Sequence, residues 1–249
     1  METLLLERKE PLAWVWLNRS RQLNALNDTA LAELKQVFEE LDQDEQIRTI
    51  LLGGRGFAFS AGFDIAWMAV QETEATMQEL ATIETVYDAI EACSKPVVAA
   101  VHGAVMGGGL LLALVADLRL AAEGARFGAP EVKIGLFPNL RMIPRLERVV
   151  GLGAAKRLVL TGEAVDADEA LRIGLVEQLL PRADLYAKAE ALAGSLAELP
   201  GLALESAKAT FAAAQEPDFD DWERAQFAAC WSQPERKAAM EAFLKRWKK

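Results

Sequence analysis

A glycine-rich bend in the middle of the chain could stabilise a negative charge on a bound ligand. Residues 103–109 are Gly-Ala-Val-Met-Gly-Gly-Gly, and they lie between the apolar runs Val97–Val101 and 110–115. The pattern predicts a buried strand that turns directly into a helix on three glycines. Glycine lets the backbone approach a ligand closely, and the first turn of a helix presents unpaired N–H groups. The bend is therefore a candidate anion site.

A second bend has the same form. Residues 60–64, Ser-Ala-Gly-Phe-Asp, follow a predicted strand and precede a predicted helix. If the two bends lie side by side, each can donate one N–H to the same carbonyl oxygen as that oxygen gains negative charge. Each such donor lowers a reaction barrier by about 3–4 kcal/mol. The alternative is that both are ordinary turns between a strand and a helix.

Strands and helices alternate over the first two thirds of the chain, and helices dominate the last third. The predicted strands are Leu12–Leu17, 47–52, Val97–Val101 and Leu118–Ala122. Helices are predicted after a cap at Asn27 and Asp28, and over 72–93, 110–115, 154–160, Ala167–Arg172, 184–199, 202–214, 219–231 and 236–249. This order predicts an α/β fold with parallel strands joined by right-handed crossovers.

Charge and composition disfavour nucleic acid, membranes and metal ions as binding partners. The 249 residues carry a net charge of -10, which disfavours nucleic acid and anionic membranes because both are bound through clustered Lys and Arg. No apolar stretch approaches the roughly 18 residues of a membrane span, and the first residues do not resemble a secretory signal, so we expect a cytoplasmic protein. Cys93 and Cys230 match no zinc or redox spacing, His102 is the one histidine, and no metal site is predicted.

A series of short segments occurs in one order along essentially the whole chain. They are 18–26 (NRSRQLNAL), 60–64 (SAGFD), 95–97 (KPV), His102-Gly103, 107–109 (GGG), 127–131 (FGAPE), 160–163 (LTGE) and 174–176 (GLV). The order and spacing of these segments resemble the crotonase family, the enoyl-CoA hydratases and isomerases. The resemblance implies an α/β spiral of repeated strand-strand-helix turns over 1–195, which holds an acyl-CoA site. It also implies a C-terminal helical region, 196–249, that serves assembly into homotrimers or dimers of trimers.

The resemblance assigns a role to each bend. In this family two backbone N–H groups hold the carbonyl of an acyl-CoA thioester while an enolate forms, and here they would belong to Phe63 and Gly108. Arg21 would contact a phosphate of coenzyme A, and the backbone near Ala25 and Ala61 would follow the pantetheine. The alternative for Arg21 is a solvated surface charge. Coenzyme A enters as part of the substrate, and no separate cofactor is implied.

The catalytic acids are where the chain departs from the best-known members. Hydratases carry one carboxylate three positions after the middle glycine, where this chain has Leu111, and a second at the position of Glu131. Glu131 is then the one acid-base group implied, and an apolar Leu111 facing it would raise its pKa. The alternative is a surface glutamate beside Lys133.

Several further residues are candidates for the substrate pocket. Phe137 lies in a segment, 137–146, that is bulkier and more apolar than its hydratase counterpart. Trp67 could line the acyl entrance or belong to a helical core stripe, and Asp64 could contact substrate or cap the next helix. His102 is expected to support a loop by hydrogen bonding. The additional acids of the dienoyl-CoA isomerases would fall at Leu111 and Asn139, which disfavours that subgroup.

The combined prediction is a 3-enoyl-CoA to 2-enoyl-CoA isomerase, because one base suffices to move a proton from C2 to C4. The alternatives are a 2-enoyl-CoA hydratase, in which Glu131 alone directs water, and a decarboxylase or thioester hydrolase of the same family. A CoA-ester binding or RNA-associated protein without efficient catalysis belongs to another class. The acidic net charge argues against RNA, and Glu131 argues against an inactive site.

Overall fold

The structure is a computed structural model that describes residues 1–71 and 73–213, together with 228, 231, 237, 240, 241, 244 and 245. The strands are β1 (Leu4–Lys9), β2 (Leu12–Leu17), β3 (Thr49–Gly54), β4 (Val97–Val101), β5 (Ala104–Met106), β6 (Leu118–Ala122), β7 (Arg126–Gly128), β8 (Val165–Asp166) and β9 (Gln178–Leu180). The helices are α1 (Asp28–Gln43), α2 (Ile65–Ala69), α3 (Thr73–Ala92), α4 (Gly108–Leu114), α5 (Met142–Thr161), α6 (Ala167–Arg172), α7 (Leu185–Ala197) and α8 (Gly201–Ala213).

The chain forms a spiral of strand-strand-helix turns, and its strands belong to two sheets. The larger sheet has the order β1-β2-β3-β4-β6-β9, and its pairs are parallel except for the β1-β2 hairpin. The smaller sheet has the order β5-β7-β8. Successive turns therefore contribute β4 and β6 to one sheet and β5 and β7 to the other. The predicted α/β class and repeat are confirmed.

Apolar side chains on both faces of the larger sheet explain its continuous apolar sequence runs. One face packs against α1, whose buried stripe is Leu31, Leu34, Val37, Phe38 and Leu41. The other face packs against α7, and there the rings of Trp14 and Trp16 stack with centroids 4.1 Å apart. Alternate residues of a strand point to opposite faces, so a strand covered on both sides reads as uninterrupted apolar sequence.

Most predicted elements are present, and four of them have the predicted ends. The strands Leu12–Leu17, Val97–Val101 and Leu118–Ala122 and the helix Ala167–Arg172 have the predicted bounds, and Asn27 caps α1 by accepting from Ala30 N at 3.1 Å. The strand predicted over 47–52 is Thr49–Gly54, because Gly53 continues it beneath Trp16, where a Cβ would lie 2.6 Å from the ring.

Two predictions about element boundaries are wrong. The strand Val97–Val101 does not turn directly into a helix, since β5 lies between them and pairs with β7 in the second sheet. The helix predicted over 154–160 is the end of the longer α5, which kinks at Gly151, where φ is 75°. Most residues of the predicted helices 219–231 and 236–249, and most of the proposed assembly region 196–249, lie outside the described residues.

No helix in the described part of the chain is long and apolar enough to span a membrane. Across residues 1–71 and 73–213 and the few described later ones, no group of three His, Cys, Asp or Glu side chains could hold a metal ion. Cys93 is a buried free thiol, whereas Cys230 lies beyond the described residues.

Candidate active site

The two glycine-containing bends lie side by side, as the sequence predicts. Ser60 forms a parallel bridge with Val105 of β5, in which Ser60 N donates to Ala104 O at 3.0 Å and Met106 N donates to Ser60 O at 3.1 Å. Gly62 has a φ of 95°, and a Cβ there would lie 2.7 Å from Met106 O and 3.3 Å from Gly108 N. Only glycine permits this approach, so the two bends form one unit.

Each bend leaves one N–H group without an acceptor in the described structure. Leu26 bonds to the residues on either side of Phe63, through Leu26 N to Gly62 O at 2.8 Å and Asp64 N to Leu26 O at 2.9 Å. The Phe63 N–H therefore points away from this ladder. Gly108 is the first residue of α4, so its N–H has no intrahelical partner. These are the two donors that the sequence predicts.

Tight packing explains why glycines begin α4. A Cβ on Gly108 would lie 2.9 Å from the Phe63 ring, and one on Gly109 would lie 2.6 Å from Ser60 O. Gly107 makes the turn itself with a φ of 50°. Every residue of α4 is buried, so the helix seats directly against the first bend.

Glu131 brings a carboxylate to the same place. It begins a single 3-10 turn, Glu131–Ile134, and its Oε1 lies 2.9 Å from where a Cβ on Gly107 would be. Its Oε2 is buried and accepts no hydrogen bond from the described residues. Burial raises the pKa of Glu131 to about 7, although its own backbone N–H partly offsets the effect. The surface alternative for Glu131 is therefore wrong, and the expected rise in pKa is confirmed.

A small apolar cavity of about 50 Å³ adjoins this carboxylate. Three predicted residues line it together with Glu131, namely Phe63, Trp67 and Phe137. Its other lining residues are Met68, Gln71, Leu80, Ile83, Leu136, Asn139, Leu140 and Trp231. Glu131 is the one carboxylate among these described lining residues.

Leu111 does not line this cavity. It is 1% exposed and belongs to the main core, one turn into α4. A contact between Leu111 and the substrate therefore stays a prediction. Its side chain supplies no charged or polar group near Glu131.

Asp64 has structural partners. Its Oδ1 accepts from Ala66 N and Trp67 N at 3.2 and 3.3 Å, and its Oδ2 accepts from the Arg19 guanidinium at 3.1 Å. It therefore caps α2, which favours the capping alternative over a substrate contact.

The three predicted coenzyme A contacts lie apart from the cavity. Arg21 is exposed, and its side chain has no hydrogen-bond or ion-pair partner in the described structure. Ala61 N donates to Leu23 O at 2.9 Å, and Ala25 O accepts from the Arg19 side chain. Binding of coenzyme A at these positions stays a prediction.

Sequence reasoning missed the side chains that hold the site in place. Arg145 is 2% exposed, pairs with Asp88 and Glu91 of α3, and donates through Nη1 to Leu140 O at 2.7 Å. It thereby stabilises a cavity wall in which Leu140 has a φ of 54°. No spacing signal marks Arg145, because its ion-pair partners Asp88 and Glu91 are more than fifty positions away.

Two further polar side chains brace the bends. The hydroxyl of the buried Tyr87 on α3 donates to Gly108 O at 3.3 Å, a contact with no signal in the sequence. His102 Nε2 lies 3.0 Å from Gly56 O, and burial lowers the His102 pKa. The predicted loop-supporting role of His102 is confirmed.

Comparisons with known proteins agree with this geometry. The sequence profile of the family described as enoyl-CoA hydratase/isomerase matches residues 7–249. A crotonyl-CoA hydratase of Syntrophomonas wolfei is 36% identical over 251 residues, covering 99% of this chain and 96% of that protein. A short-chain-enoyl-CoA hydratase of Clostridium acetobutylicum is 35% identical, covering 100% and 97%. An enoyl-CoA hydratase/isomerase structure from Pseudoalteromonas atlantica superposes with a TM-score of 0.89 at 29% identity, covering 98% and 97%.

Proposed function

Because the chain belongs to the enoyl-CoA hydratase/isomerase family, we propose that it shifts the double bond of a 3-enoyl-CoA to the 2-position. It is an enzyme of the hydratase/isomerase type. The observation that supports isomerisation is the cavity with one described carboxylate, Glu131, while the position of the second hydratase carboxylate holds the apolar Leu111. A double-bond shift needs one group that removes and returns a proton, whereas hydration also has to activate water.

The proposed reaction begins with the thioester oxygen between two backbone donors, the N–H groups of Phe63 and Gly108. Glu131 removes a proton from C2, and the C–H electrons form a dienolate whose charge rests on the thioester oxygen. Glu131 then returns the same proton to C4, so the double bond moves from C3–C4 to C2–C3. The step consumes no water and needs no oxidant or reductant.

The pKa of Glu131 suits this role. A general base works best when its pKa lies near the working pH, and burial raises this one to about 7. An exposed glutamate, with an ordinary pKa near 4.5, would be a far weaker base.

Hydration of 2-enoyl-CoA is the second candidate, and the names of the relatives favour it. Both hydratases cited above match this chain at 35–36% identity over nearly its full length. In this version Glu131 takes a proton from a water whose oxygen bonds to C3, the C2–C3 π electrons pass to the thioester oxygen, and Glu131 returns that proton to C2. Leu111 offers that water no second carboxylate, so the structural support for hydration is weaker.

One experiment separates the two reactions. The protein is incubated with 3-hexenoyl-CoA and, separately, with 2-hexenoyl-CoA, while ultraviolet absorbance follows conjugation and mass spectrometry follows water addition. We expect fast conjugation of the first substrate and slow hydration of the second. Rapid hydration without any shift of the double bond would refute the isomerase proposal.

We further propose that Arg21 contacts a phosphate of coenzyme A and that the chain forms trimers or paired trimers. The exposed, unpaired guanidinium supports the first proposal. The exposed apolar side chains of Leu202 and Phe211 on α8, 79% and 80% accessible, support the second. Binding of free coenzyme A to Arg21→Ala tests the contact, and light scattering tests whether the mass is three or six times the 27.2 kDa of one chain.

A further inference from the structure

A second, larger space lies directly behind the wall of the active-site cavity. It is a groove of about 420 Å³ between α1 and α3. Its apolar surface comes from Leu31 and Val86 together with two residues that also line the active-site cavity, Trp67 and Ile83. The groove and the cavity are therefore two spaces separated by one shared pair of side chains.

The shared pair is a thin partition. Trp67 lies on the five-residue helix α2, and Ile83 lies on α3, and both are half-buried and packed on the main core. The cavity on the catalytic side measures about 50 Å³, well below the roughly 300–1,000 Å³ of a pocket that encloses a drug-sized ligand. With the partition closed, the cavity has room for the first carbons of an acyl chain and not for a long chain.

The chemistry of the groove suits the distal part of a fatty acyl chain. Its floor is hydrocarbon and indole, and the charged residues Asp28, Lys35 and Glu39 stand where it opens to solvent. Methylene groups leaving water for such a floor gain free energy without needing hydrogen-bond partners. The groove adjoins the acyl site across the side chains of Trp67 and Ile83, which favours an acyl chain over any other occupant.

We propose that Trp67 and Ile83 set the acyl chain length, and that the α1–α3 groove is the subsite for a long chain when this partition is removed. The proposal rests on the proposed function, because the ligand in question is an acyl-CoA. We therefore expect the unaltered protein to prefer acyl-CoA substrates with short chains. In this proposal the preference depends on the side chains of Trp67 and Ile83 and not on the fold as a whole.

The test compares the affinities of the unreactive saturated thioesters butyryl-CoA and decanoyl-CoA by calorimetry. We expect Trp67→Ala and, independently, Ile83→Ala to shift the affinity ratio at least about tenfold toward decanoyl-CoA, since single methylenes are discriminated by 10-fold or more in closed pockets. Two variants are used so that a folding defect in one does not decide the result. A ratio within twofold of the unaltered protein in both folded variants would overturn the proposal.

A second substitution shows which space the chain enters. Ala32 is exposed on α1 and lines the groove, so Ala32→Trp should fill it. Added to Trp67→Ala, it should restore the original preference for butyryl-CoA. Ala187→Trp places the same ring on an exposed position of α7 and is the matched control. Added to Trp67→Ala, it should not restore the preference for butyryl-CoA. If Ala32→Trp leaves the gain for decanoyl-CoA intact, the chain takes another route and the groove is not the subsite.

Failure of this proposal is distinguishable from failure of the proposed function. A binding ratio does not depend on turnover, so a shifted ratio in a protein that converts no enoyl-CoA would refute only the catalytic proposal. Turnover of 3-enoyl-CoA with an unshifted ratio would refute only the chain-length proposal. Failure to bind either thioester would overturn both.

Discussion

Replacing Glu131 with glutamine should strengthen the fold at alkaline pH while it abolishes activity. Burial holds the pKa of Glu131 at about 7 in the folded chain, against an ordinary value of 4.5. Each pKa unit of difference corresponds to about 1.4 kcal/mol, so ionised Glu131 weakens the fold by about 3 kcal/mol above pH 7. Glutamine has nearly the same shape and never ionises, so it removes this cost.

The sign of the effect fixes its pH window. Below pH 4.5 the carboxyl is protonated in the folded and unfolded chains, and Glu131 costs the fold nothing. Between pH 4.5 and about 7 the unfolded chain releases its proton first, so the stability of the unaltered protein falls as the pH rises. The stability gained by Glu131→Gln should therefore grow across this window and then stay constant.

Activity should change in the opposite direction. A general base contributes about 10²- to 10⁴-fold to a rate, and Glu131→Gln should lower kcat by that factor above about pH 7, where Glu131 is ionised. In the unaltered protein, kcat/KM should rise tenfold per pH unit below about 7 and level off above it, as the carboxylate forms.

The assay combines urea unfolding at about pH 5 and pH 8 with initial rates of double-bond shift over the same range. Glu147 is exposed, so Glu147→Gln is a matched control that should change neither quantity. A Glu131→Gln variant that keeps more than about a tenth of the activity would show that the base lies elsewhere. An equal stability difference at both pH values would show that the Glu131 pKa is not raised.

Three other substitutions test the rest of the site. Leu111→Glu should increase hydration of 2-enoyl-CoA, measured by water addition, while it lowers the unfolding free energy by about 2–5 kcal/mol, because the position is buried. Gly108→Ala places a Cβ 2.9 Å from the Phe63 ring, which should displace one oxyanion donor and lower kcat about 10²- to 10³-fold more than it changes KM. Asp64→Ala removes the α2 cap and the Arg19 partner, and should cost about 1–2 kcal/mol in a urea titration.

Matched variants keep these predictions refutable. Leu112→Glu buries a carboxylate one position along α4, and an equal gain in hydration there would refute a specific role for position 111. A Cβ on Gly153 would meet no atom within 4 Å, so Gly153→Ala should keep its activity. If Gly153→Ala loses as much activity as Gly108→Ala, the loss at Gly108 does not report a displaced oxyanion donor. Asp64→Asn keeps a capping oxygen, so it should cost less than Asp64→Ala.

Strands buried on both faces are the part of the fold that the sequence predicts best. Val97–Val101 and Leu118–Ala122 are uninterrupted apolar runs between turn residues, and their bounds follow directly. The three-residue strands Ala104–Met106 and Arg126–Gly128 have no such pattern, because three positions cannot show a period. They nevertheless form the second sheet with β8. Because the sequence does not reveal this sheet, it wrongly predicts that the glycine bend leads directly from β4 into α4.

The candidate site likewise contains residues that the sequence predicts and supporting contacts that it does not predict. The order of motifs predicts Glu131, Phe63 and Gly108 as site residues, because each lies in a short segment with its own signature, and the structure places the three close together. The support given by Arg145 to Leu140, and by Tyr87 to Gly108, arises when α3 packs against distant loops. Such contacts depend on the tertiary structure, and local spacing does not encode them.

A buried carboxylate without a partner is compatible with catalysis because of where its proton goes. Before the reaction the cavity holds one negative charge, on Glu131, whose unpaired Oε2 is poorly solvated. In the proposed reaction Glu131 becomes neutral when it takes the C2 proton, and the charge moves to the thioester oxygen, where the N–H groups of Phe63 and Gly108 can receive it. The total charge in the cavity is unchanged, but it passes from a site without hydrogen bonds to a site with two. The same burial that weakens the fold therefore favours the transfer, and the two donors stabilise its product.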